Sequence, residues 1–278
     1  MALPQSYTDG IIHTALAEDI NYVDVTTDYL IGDGDTTEAY LVAKDEGVLC
    51  GIDIAKRVFE ILDETIVFNI KIKDGAQVKK GDIIATLSGS TKNLLKGERT
   101  ALNILQHMSG IATATNRCVQ LVEGTRAQIT DTRKTLPGLR ALQKYAVTVG
   151  GGKNHRFNLS DGAMLKDNHI DAGGGITKTV GILRTKIGHM VKIEVEVRTL
   201  DELREALDAK ADVIMLDNMS CEEMAEAVKI TDGKALLEAS GNVTAENIRS
   251  IAETGVDIIS LGALTHSVKC FDISMKIK

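Results

Sequence analysis

From about residue 127 onward, short runs of hydrophobic residues alternate with segments of helical periodicity. The helical segments include residues 200–209 and 222–230. The hydrophobic runs cover residues 127–131, 163–166, 191–197, 212–217, 235–240 and 257–261. Short hydrophobic strands separated by helices are typical of β/α units around a parallel sheet. At least six such units favour a barrel over an open sheet.

Two of the predicted helices begin with the pattern of a capping box. Thr199 is followed by Glu202, and Ser220 is followed by Glu223. In a capping box, the two side chains accept hydrogen bonds from backbone N–H groups at the helix start. The pattern therefore fixes the start of both helices and the loops before them.

The first 110 residues show no strand–helix alternation. Residues 39–48 and 66–72 have the pattern of strands, and residues 52–62 have that of a helix. The run KDGAQVKKGDIIATLSG (73–89) predicts two short strands joined by turns that contain glycine, and residues 98–110 predict a helix. We expect an α+β sandwich lobe over residues 1–110 and a barrel domain over residues 111–267, packed tightly because no flexible linker joins them.

Composition and charge exclude several classes of protein. The chain has a formal net charge of −7 and nine aromatic residues among 278, which argues against binding of nucleic acid. Its four cysteines are far apart and form no CxxC pair, which favours reduced thiols in the cytoplasm over disulfides or a zinc site. No signal peptide or membrane-spanning stretch is recognisable, so we expect a soluble cytoplasmic protein.

Polar residues follow nearly every predicted barrel strand, at the end where β/α barrels build their active sites. They are Asp131, Thr132, Arg133, Lys134, Lys166, Glu196, Asp217, Ser240, Gly241, Asn242, Gly262 and Ala263. Such a set predicts a functional rim rather than ordinary loops. The two acids, Glu196 and Asp217, suit Mg²⁺, sugar hydroxyls or acid–base catalysis, unless they only pair with Lys166 or Lys134. The glycine-containing turns after the last two strands suit a phosphate.

Basic residues are concentrated between residues 131 and 170. This stretch contains seven Lys or Arg and three Asp, whereas the rest of the chain has 25 basic and 36 acidic residues. A positive region in an acidic protein is what a small ligand with several negative charges requires. Arg140 and Lys144 fit a solvated helix face equally well. Four others fit such a face poorly because they lie beside strand ends and glycine-rich turns: Arg133, Lys134, Arg156 and Lys166.

Taken together, these residues resemble the quinolinate phosphoribosyltransferase family over essentially the whole chain. The matching stretches, in order, are ERTALN (98–103), DTRKTLPGLR (131–140), KNHRFNLSD (153–161), LKDNHI (165–170), EVEV (194–197), LDN (216–218), EASGN (238–242) and LGALTHS (261–267). The resemblance implies a pentosyltransferase of NAD biosynthesis. Its substrates would be quinolinate and phosphoribosyl pyrophosphate (PRPP), and its products nicotinate mononucleotide, pyrophosphate and CO₂.

The resemblance also implies roles for individual residues. Quinolinate would be bound by Arg99, Thr132, Arg133, Lys134, His155, Arg156 and Lys166. PRPP would be bound by Lys134, Lys166, Glu196, Asp217, Ser240, Gly241, Asn242, Gly262, Ala263 and Leu264. Lys134, Lys166, Glu196 and Asp217 would be catalytic, and Glu196 and Asp217 would hold Mg²⁺ directly or through water. No enzyme nucleophile is needed.

The family further implies a homodimer in which Arg99 completes the site of the neighbouring subunit. It also implies an open barrel with fewer than eight strands beside the sandwich lobe, and a return of residues 268–278 to the N-terminal lobe. One alternative is a molybdenum-transport-associated relative with the same fold and another substrate, which we expect to differ at Arg133, Lys134, His155 and Arg156. A second is a carrier module, because residues 73–89 resemble part of a biotinyl or lipoyl domain, but the chain has no Met–Lys–Met tip.

Overall fold

A computed structural model describes residues 3–278 of the chain. The strands are β1 (Thr36–Ala43), β2 (Gly47–Val48), β3 (Val67–Ile70), β4 (Gln77–Val78), β5 (Ile83–Ser90), β6 (Gln128–Thr130), β7 (Ala163–Leu165), β8 (Ile193–Val197), β9 (Val213–Asp217), β10 (Leu236–Ser240), β11 (Ile258–Ser260) and β12 (Ile273–Ile277). The helices are α1 (Gln5–Asp19), α2 (Thr27–Leu30), α3 (Ile52–Leu62), α4 (Thr91–Leu121), α5 (Arg140–Val149), α6 (Asp167–Gly173), α7 (Ile176–Lys186), α8 (Leu200–Asp208), α9 (Cys221–Thr231), α10 (Ile248–Glu253) and α11 (Ala263–His266). None of the helices within residues 3–278 is both long and apolar enough to cross a membrane.

The chain divides into two compact units that differ from the predicted domains. One contains the residues up to Asn116 together with Thr135–Gly151 and Leu264–Lys278, and the other contains Arg117–Lys134 and Gly152–Ala263. A boundary at residue 110 falls inside α4, which is one continuous helix. The segment that carries α5 lies within the predicted barrel sequence but belongs to the first unit.

The first unit contains a four-stranded antiparallel sheet in the order β12-β1-β5-β3. Ala39 and Leu41 on β1 are fully buried, as is Phe59 on α3, whose ring centroid lies 5.8 Å from that of Phe68. The last strand, β12, pairs with β1, and Phe271 N–H donates to the Gln106 carbonyl of α4. The residues expected to return to the N-terminal lobe thus form an edge strand of this sheet.

The second unit contains six parallel strands in the order β6-β11-β10-β9-β8-β7. Parallel strands flanked by helices are the predicted β/α arrangement, and six strands are fewer than the eight of a complete barrel. All five residues of β8 are buried, and its side chains alternate between Ile, Val and Glu. Because successive side chains of a strand point to opposite faces, the two glutamates of β8 share one face and the aliphatic residues share the other.

The predicted helix starts are in place, but one of the capping boxes is incomplete. Ser220 and Glu223 make both bonds of a capping box. At α8, Thr199 accepts from the Glu202 N–H, but the Glu202 side chain accepts from the Arg198 N–H instead of that of Thr199. Glu202 therefore bonds one residue earlier than a capping box requires.

Candidate active site

A pocket of about 250 Å³ lies where the strands of the second unit end. It is lined by Thr132, Arg133, Lys134, His155, Arg156, Met164, Lys166, Met215, Glu238, Ser240 and Ser260. Six of the seven residues predicted to bind quinolinate are among them. The fold therefore brings together cationic side chains that are up to 33 positions apart in the sequence.

Asp131 holds the loop that carries two of these side chains. Its buried carboxylate accepts hydrogen bonds from Asn154 Nδ2 at 2.6 Å and from the His155 N–H at 2.9 Å. Lys153 N–H donates to the Ile129 carbonyl on β6 at 2.8 Å, so the loop continues the edge of the sheet. The first residue after β6, predicted to belong to the rim, thus acts as an anchor for the pocket wall.

The two arginines of the pocket are partly desolvated and lie near each other. Burial and the neighbouring Arg133 lower the pKa of the Arg156 guanidinium. Arg156 Nη1 donates to the Gly162 carbonyl at 2.8 Å, but the Nε atoms of Arg133 and Arg156 are buried without a hydrogen-bond partner among residues 3–278. Each unsatisfied buried donor costs about 1–3 kcal/mol, which an anionic ligand would recover.

The two predicted acids lie at the ends of adjacent strands, each beside a cation. Glu196 on β8 is buried and pairs with Lys166. Asp217 on β9 lies 3.6 Å from Arg198 Nε, and Arg198 also bonds Asp167 at 3.0 Å. The pairing of Glu196 with Lys166 was foreseen as an alternative to a functional role, whereas that of Asp217 with Arg198 was not. Neither acid is part of the pocket lining, although Glu196 contacts the pocket residue Lys166.

The turn after β10 requires its glycine. Gly241 has a φ of +90°, and a Cβ atom there would lie 2.2 Å from the Asn218 amide oxygen. Asn242 also has a positive φ, and its Nδ2 donates to Asn218 Oδ1 at 3.0 Å. Of the other predicted phosphate-binding residues, Gly262 and Ala263 follow β11 in the second unit, while Leu264 belongs to the first unit.

A buried cluster of two carboxylates and an imidazole lies beneath the pocket. His155 Nε2 is 3.0 Å from Glu194 and 3.6 Å from Glu238, on β8 and β10 respectively. The three groups offer ligand atoms within 4.8 Å of one another, which is a spacing that metal sites use. However, His155 Nδ1 accepts the Arg156 N–H at 2.8 Å, so a neutral ring carries its proton on Nε2, facing the carboxylates. This geometry fits a shared-proton cluster better than a metal site.

Burial makes the charged form of one member of the cluster costly. Desolvation, and next the charge of Glu194, raise the pKa of Glu238 to about 7, while His155, Ser260 and Lys166 oppose the shift. One oxygen of each carboxylate, Glu194 Oε1 and Glu238 Oε1, is buried without a hydrogen-bond partner in the described chain. The cluster therefore holds a proton near neutral pH.

A second cavity, of about 400 Å³, reaches the cluster from the amino ends of the strands. Ala163, Val213 and Ile258, at the starts of their strands, are part of its lining. The two cavities share His155, Arg156 and Glu238 in their linings. The cluster therefore borders one cavity at the carboxyl ends of the strands and another at their amino ends.

Sequence reasoning missed Glu194 and Glu238, although a signal was present. Glu194 lies two residues before Glu196 on β8, and Glu238 lies two residues before Ser240 on β10. With a period of two, each shares a face with the rim residue that follows it. The remaining predicted site residue, Arg99, is exposed on α4 of the first unit and is not part of the pocket lining.

Comparison with known proteins gives one consistent family. Residues 24–109 match the model of the quinolinate phosphoribosyl transferase N-terminal domain, and residues 111–276 match that of the C-terminal domain. A probable nicotinate-nucleotide pyrophosphorylase [carboxylating] of Bacillus subtilis is 48% identical over 260 residues, which cover 94% of this chain and 90% of the relative. A mitochondrial quinolinate phosphoribosyltransferase [decarboxylating] of Nicotiana tabacum is 40% identical, covering 96% and 81%. The crystal structure of NadC from Streptococcus pyogenes superposes with a TM-score of 0.97 at 41% identity, covering 100% and 99%.

Proposed function

The chain belongs to the quinolinate phosphoribosyltransferase family, and from this premise we infer that it makes nicotinate mononucleotide for NAD biosynthesis. It is a pentosyltransferase that converts quinolinate and PRPP to nicotinate mononucleotide, pyrophosphate and CO₂. The observation that carries this conclusion is the cationic pocket at the strand ends. The presence of Arg133, Lys134, His155 and Arg156 in one lining favours quinolinate over the substrate of a molybdenum-transport relative.

We assign the two carboxylates of quinolinate to the cationic side chains of this pocket. Support comes from the unsatisfied Nε donors of Arg133 and Arg156, each of which lacks an acceptor of the kind that a carboxylate provides. Lys134 and Lys166 line the same pocket and extend the positive charge toward the acids of the rim. His155 differs from these because both of its ring nitrogens already face protein groups. His155 therefore forms part of the pocket wall as well as adding to the positive charge of the pocket.

We assign the ribose and its 5′-phosphate to the rim around Glu196, Asp217 and the turn Ser240–Asn242, with Gly262, Ala263 and Leu264 supplying further backbone N–H groups. Departure of pyrophosphate builds positive charge on the ribose ring, and nearby carboxylates stabilise that charge. The turn at Gly241 supports a phosphate site because its positive φ and lack of a side chain of its own are typical of phosphate-binding turns after the last barrel strands.

Glu196 and Asp217 also fit the Mg²⁺ ion that the family implies. Their carboxylate oxygens are ligands that Mg²⁺ prefers, and they lie at the ends of the paired strands β8 and β9. Lys166 and Arg198, their present partners, are long side chains able to change partner. When bound with PRPP, Mg²⁺ neutralises the leaving pyrophosphate. Lys134 and Lys166 contribute to the same neutralisation.

We further propose a homodimer in which Arg99 serves the neighbouring subunit. Arg99 is exposed and lies in the unit that does not contain the pocket. The same unit exposes the large apolar side chains of Tyr22, Tyr29 and Leu30 by 75% or more, which a subunit interface would cover. A cytoplasmic location is also proposed, which the four free cysteines support.

Product analysis with three acceptors tests the function. Purified protein is incubated with PRPP, Mg²⁺ and either quinolinate, nicotinate or phthalate. We expect nicotinate mononucleotide, pyrophosphate and CO₂ in equal amounts from quinolinate. Phthalate should form no nucleotide, because it has the two carboxylates but lacks the ring nitrogen that attacks the ribose. Failure of quinolinate to yield both pyrophosphate and CO₂ would contradict the assignment.

A further inference from the structure

The proposed reaction requires a proton, and none of the roles assigned above names its source. Loss of CO₂ breaks the bond between ring carbon C2 and its carboxylate, and the electron pair of that bond stays on C2. The carbanion then either takes a proton or recombines with CO₂. In a site that excludes bulk water, a positioned acid decides between these outcomes. The following inference rests on the proposed function.

We propose that the carboxyl group of Glu238 donates this proton to C2 and regains one from water through the cavity at the amino ends of the strands. The balance is simple. C2 gains the proton and becomes C–H, CO₂ leaves, and Glu238 is left as a carboxylate until water reprotonates it. Glu238 lines both the acceptor pocket and the second cavity, which is the placement that a donor of this kind needs.

The surroundings of Glu238 keep a proton on it between turnovers. The residue is 1% exposed, and its Oε1 atom has no hydrogen-bond partner in the described chain. It faces Glu194 of β8, His155 of the loop after β6, Ser260 of β11 and, at longer range, Lys166 after β7. Burial and the negative charge of Glu194 raise the pKa of Glu238 to about 7, so a large fraction is protonated at neutral pH.

The other members of the cluster are poorer donors. Glu194 is part of the lining of the second cavity but not of the acceptor pocket. The Nε2 proton of His155 points to the carboxylates, and a neutral imidazole is a much weaker acid than a carboxylic acid. The charge of Glu194 instead favours the protonated form of Glu238, whereas His155 favours the carboxylate that remains after proton transfer.

The test separates the two halves of the reaction in Glu238→Gln. Under single-turnover conditions with excess enzyme, pyrophosphate and CO₂ release are timed in the same sample. We expect pyrophosphate release to be largely unchanged and CO₂ release to slow by about 10²–10⁴-fold, the usual contribution of a positioned acid. The accumulated species is the uncleaved quinolinate mononucleotide. Equal slowing of both products, or of neither, would overturn the proposal.

Glu194→Gln is the matched control. It removes a carboxylate from the same cluster without touching the donor, so a purely electrostatic or structural role predicts the same result for both variants. We expect CO₂ release to lag behind pyrophosphate release far less in Glu194→Gln than in Glu238→Gln, because the donor is still present although a smaller fraction of it is protonated at neutral pH. Release of CO₂ that lags behind pyrophosphate in Glu194→Gln as much as in Glu238→Gln would contradict the assignment to Glu238.

Two further measurements keep the result decisive. If Glu238→Gln does not fold, as judged by circular dichroism, Glu238→Asp is used, which keeps a carboxyl but withdraws it by one methylene. We expect the same selective slowing of CO₂ release, and unaltered coupling would refute the proposal. Wild-type enzyme that releases no pyrophosphate with quinolinate would contradict the proposed function itself, which is a different outcome from wild-type turnover with coupled release in the variants.

Discussion

The rim and the interior of the six-stranded unit use neighbouring positions of the same strands for different chemistry. On β8, Glu196 at the rim pairs with Lys166, whereas Glu194, two residues earlier, faces His155. Rim side chains are paired with long lysines and arginines that are able to exchange a protein partner for a ligand. In the interior, Glu238 is packed among β-strands, and its burial favours the protonated form of the carboxyl group. Positions two residues apart on a strand thus differ in role: the rim residue pairs with a cation, and the interior residue belongs to the cluster that holds a proton.

Loss of charge at the rim should have the largest kinetic effect. Glu196→Gln and Asp217→Asn preserve size but remove the carboxylates beside the ribose, so we expect turnover to fall by roughly 10²–10³-fold with smaller effects on quinolinate affinity. Steady-state kinetics measures this. Glu226→Gln, an exposed glutamate paired with Lys229 on α9, is the control and should behave as wild type. Unchanged rates in the two rim variants would reduce these acids to ion-pair partners.

Mixing two inactive variants tests whether the rim is completed by a second subunit. Arg99→Ala and Lys134→Ala should each be nearly inactive alone. If they are unfolded together and refolded as a mixture, random pairing makes about half of the dimers mixed. Each mixed dimer then has one intact site and one doubly damaged site, so activity should return to roughly a quarter of wild type.

The control for this experiment is mixing without unfolding. Dimers that do not exchange subunits should stay inactive. If Arg99 acts within its own chain, no intact site forms even after refolding, and the absence of recovered activity would exclude the arrangement in trans.

The interior cluster should affect how the free energy of unfolding depends on pH. The folded-state pKa of Glu238 is raised to about 7 from 4.5, so the folded state binds more protons between these values. The contribution of Glu238 to the free energy of unfolding is therefore largest below about pH 4.5 and is lost as the pH rises through 7. Between pH 5 and 8, this effect should lower the unfolding free energy of the wild type by roughly 1–3 kcal/mol. We expect the decrease to be absent in Glu238→Gln when both proteins are unfolded with denaturant. An identical pH dependence in the variant would contradict a protonated Glu238.

The smallest effect is expected at a helix cap outside both regions. Ser220 makes a complete capping box at the start of α9. Ser220→Ala should cost about 1 kcal/mol of unfolding free energy and leave turnover unchanged. The variant calibrates the comparison, because it shows how a loss of stability alone affects activity. If turnover fell as much as in Glu196→Gln, the loss of activity in the rim variants would be explained by lower stability.

The β/α part of the fold could be predicted closely because its signals are local. The predicted strand at 235–240 is β10, Leu236–Ser240, and the helix predicted at 222–230 is α9, Cys221–Thr231. Hydrophobic runs and caps define such elements without reference to the rest of the chain. The rim followed from them, since parallel strands end at one edge of the sheet.

Features that depend on packing could not be predicted in this way. The helix predicted at 98–110 extends over Thr91–Leu121, because Gly97 and Gly110, which resemble helix breakers, instead allow close approach of Phe59 and of the Lys269 carbonyl. The prediction of a solvated basic face on α5 was wrong for Lys144, which is 2% exposed. That helix belongs to the first unit, where its neighbours in the sequence are also buried.

The interior cluster was missed for a related reason. Glu194 and Glu238 sit inside hydrophobic runs, where a glutamate in the sequence gives no sign of its partner. His155 comes from a loop whose position depends on the Asp131 anchor. Only the assembled sheet brings polar atoms of the three side chains within 4.8 Å of one another. The cluster therefore depends on tertiary packing, whereas the rim follows from the ends of the strands.

The ratio of kcat/KM for quinolinate to that for nicotinate tests the central claim, that the cationic rim selects a dicarboxylate. Nicotinate leaves one set of cationic donors without an anion, and a site built for a polar group rejects the analogue that lacks it by about 10⁴-fold. The account predicts a ratio of that order, with CO₂ formed only from quinolinate. Comparable turnover of the two acceptors would contradict it.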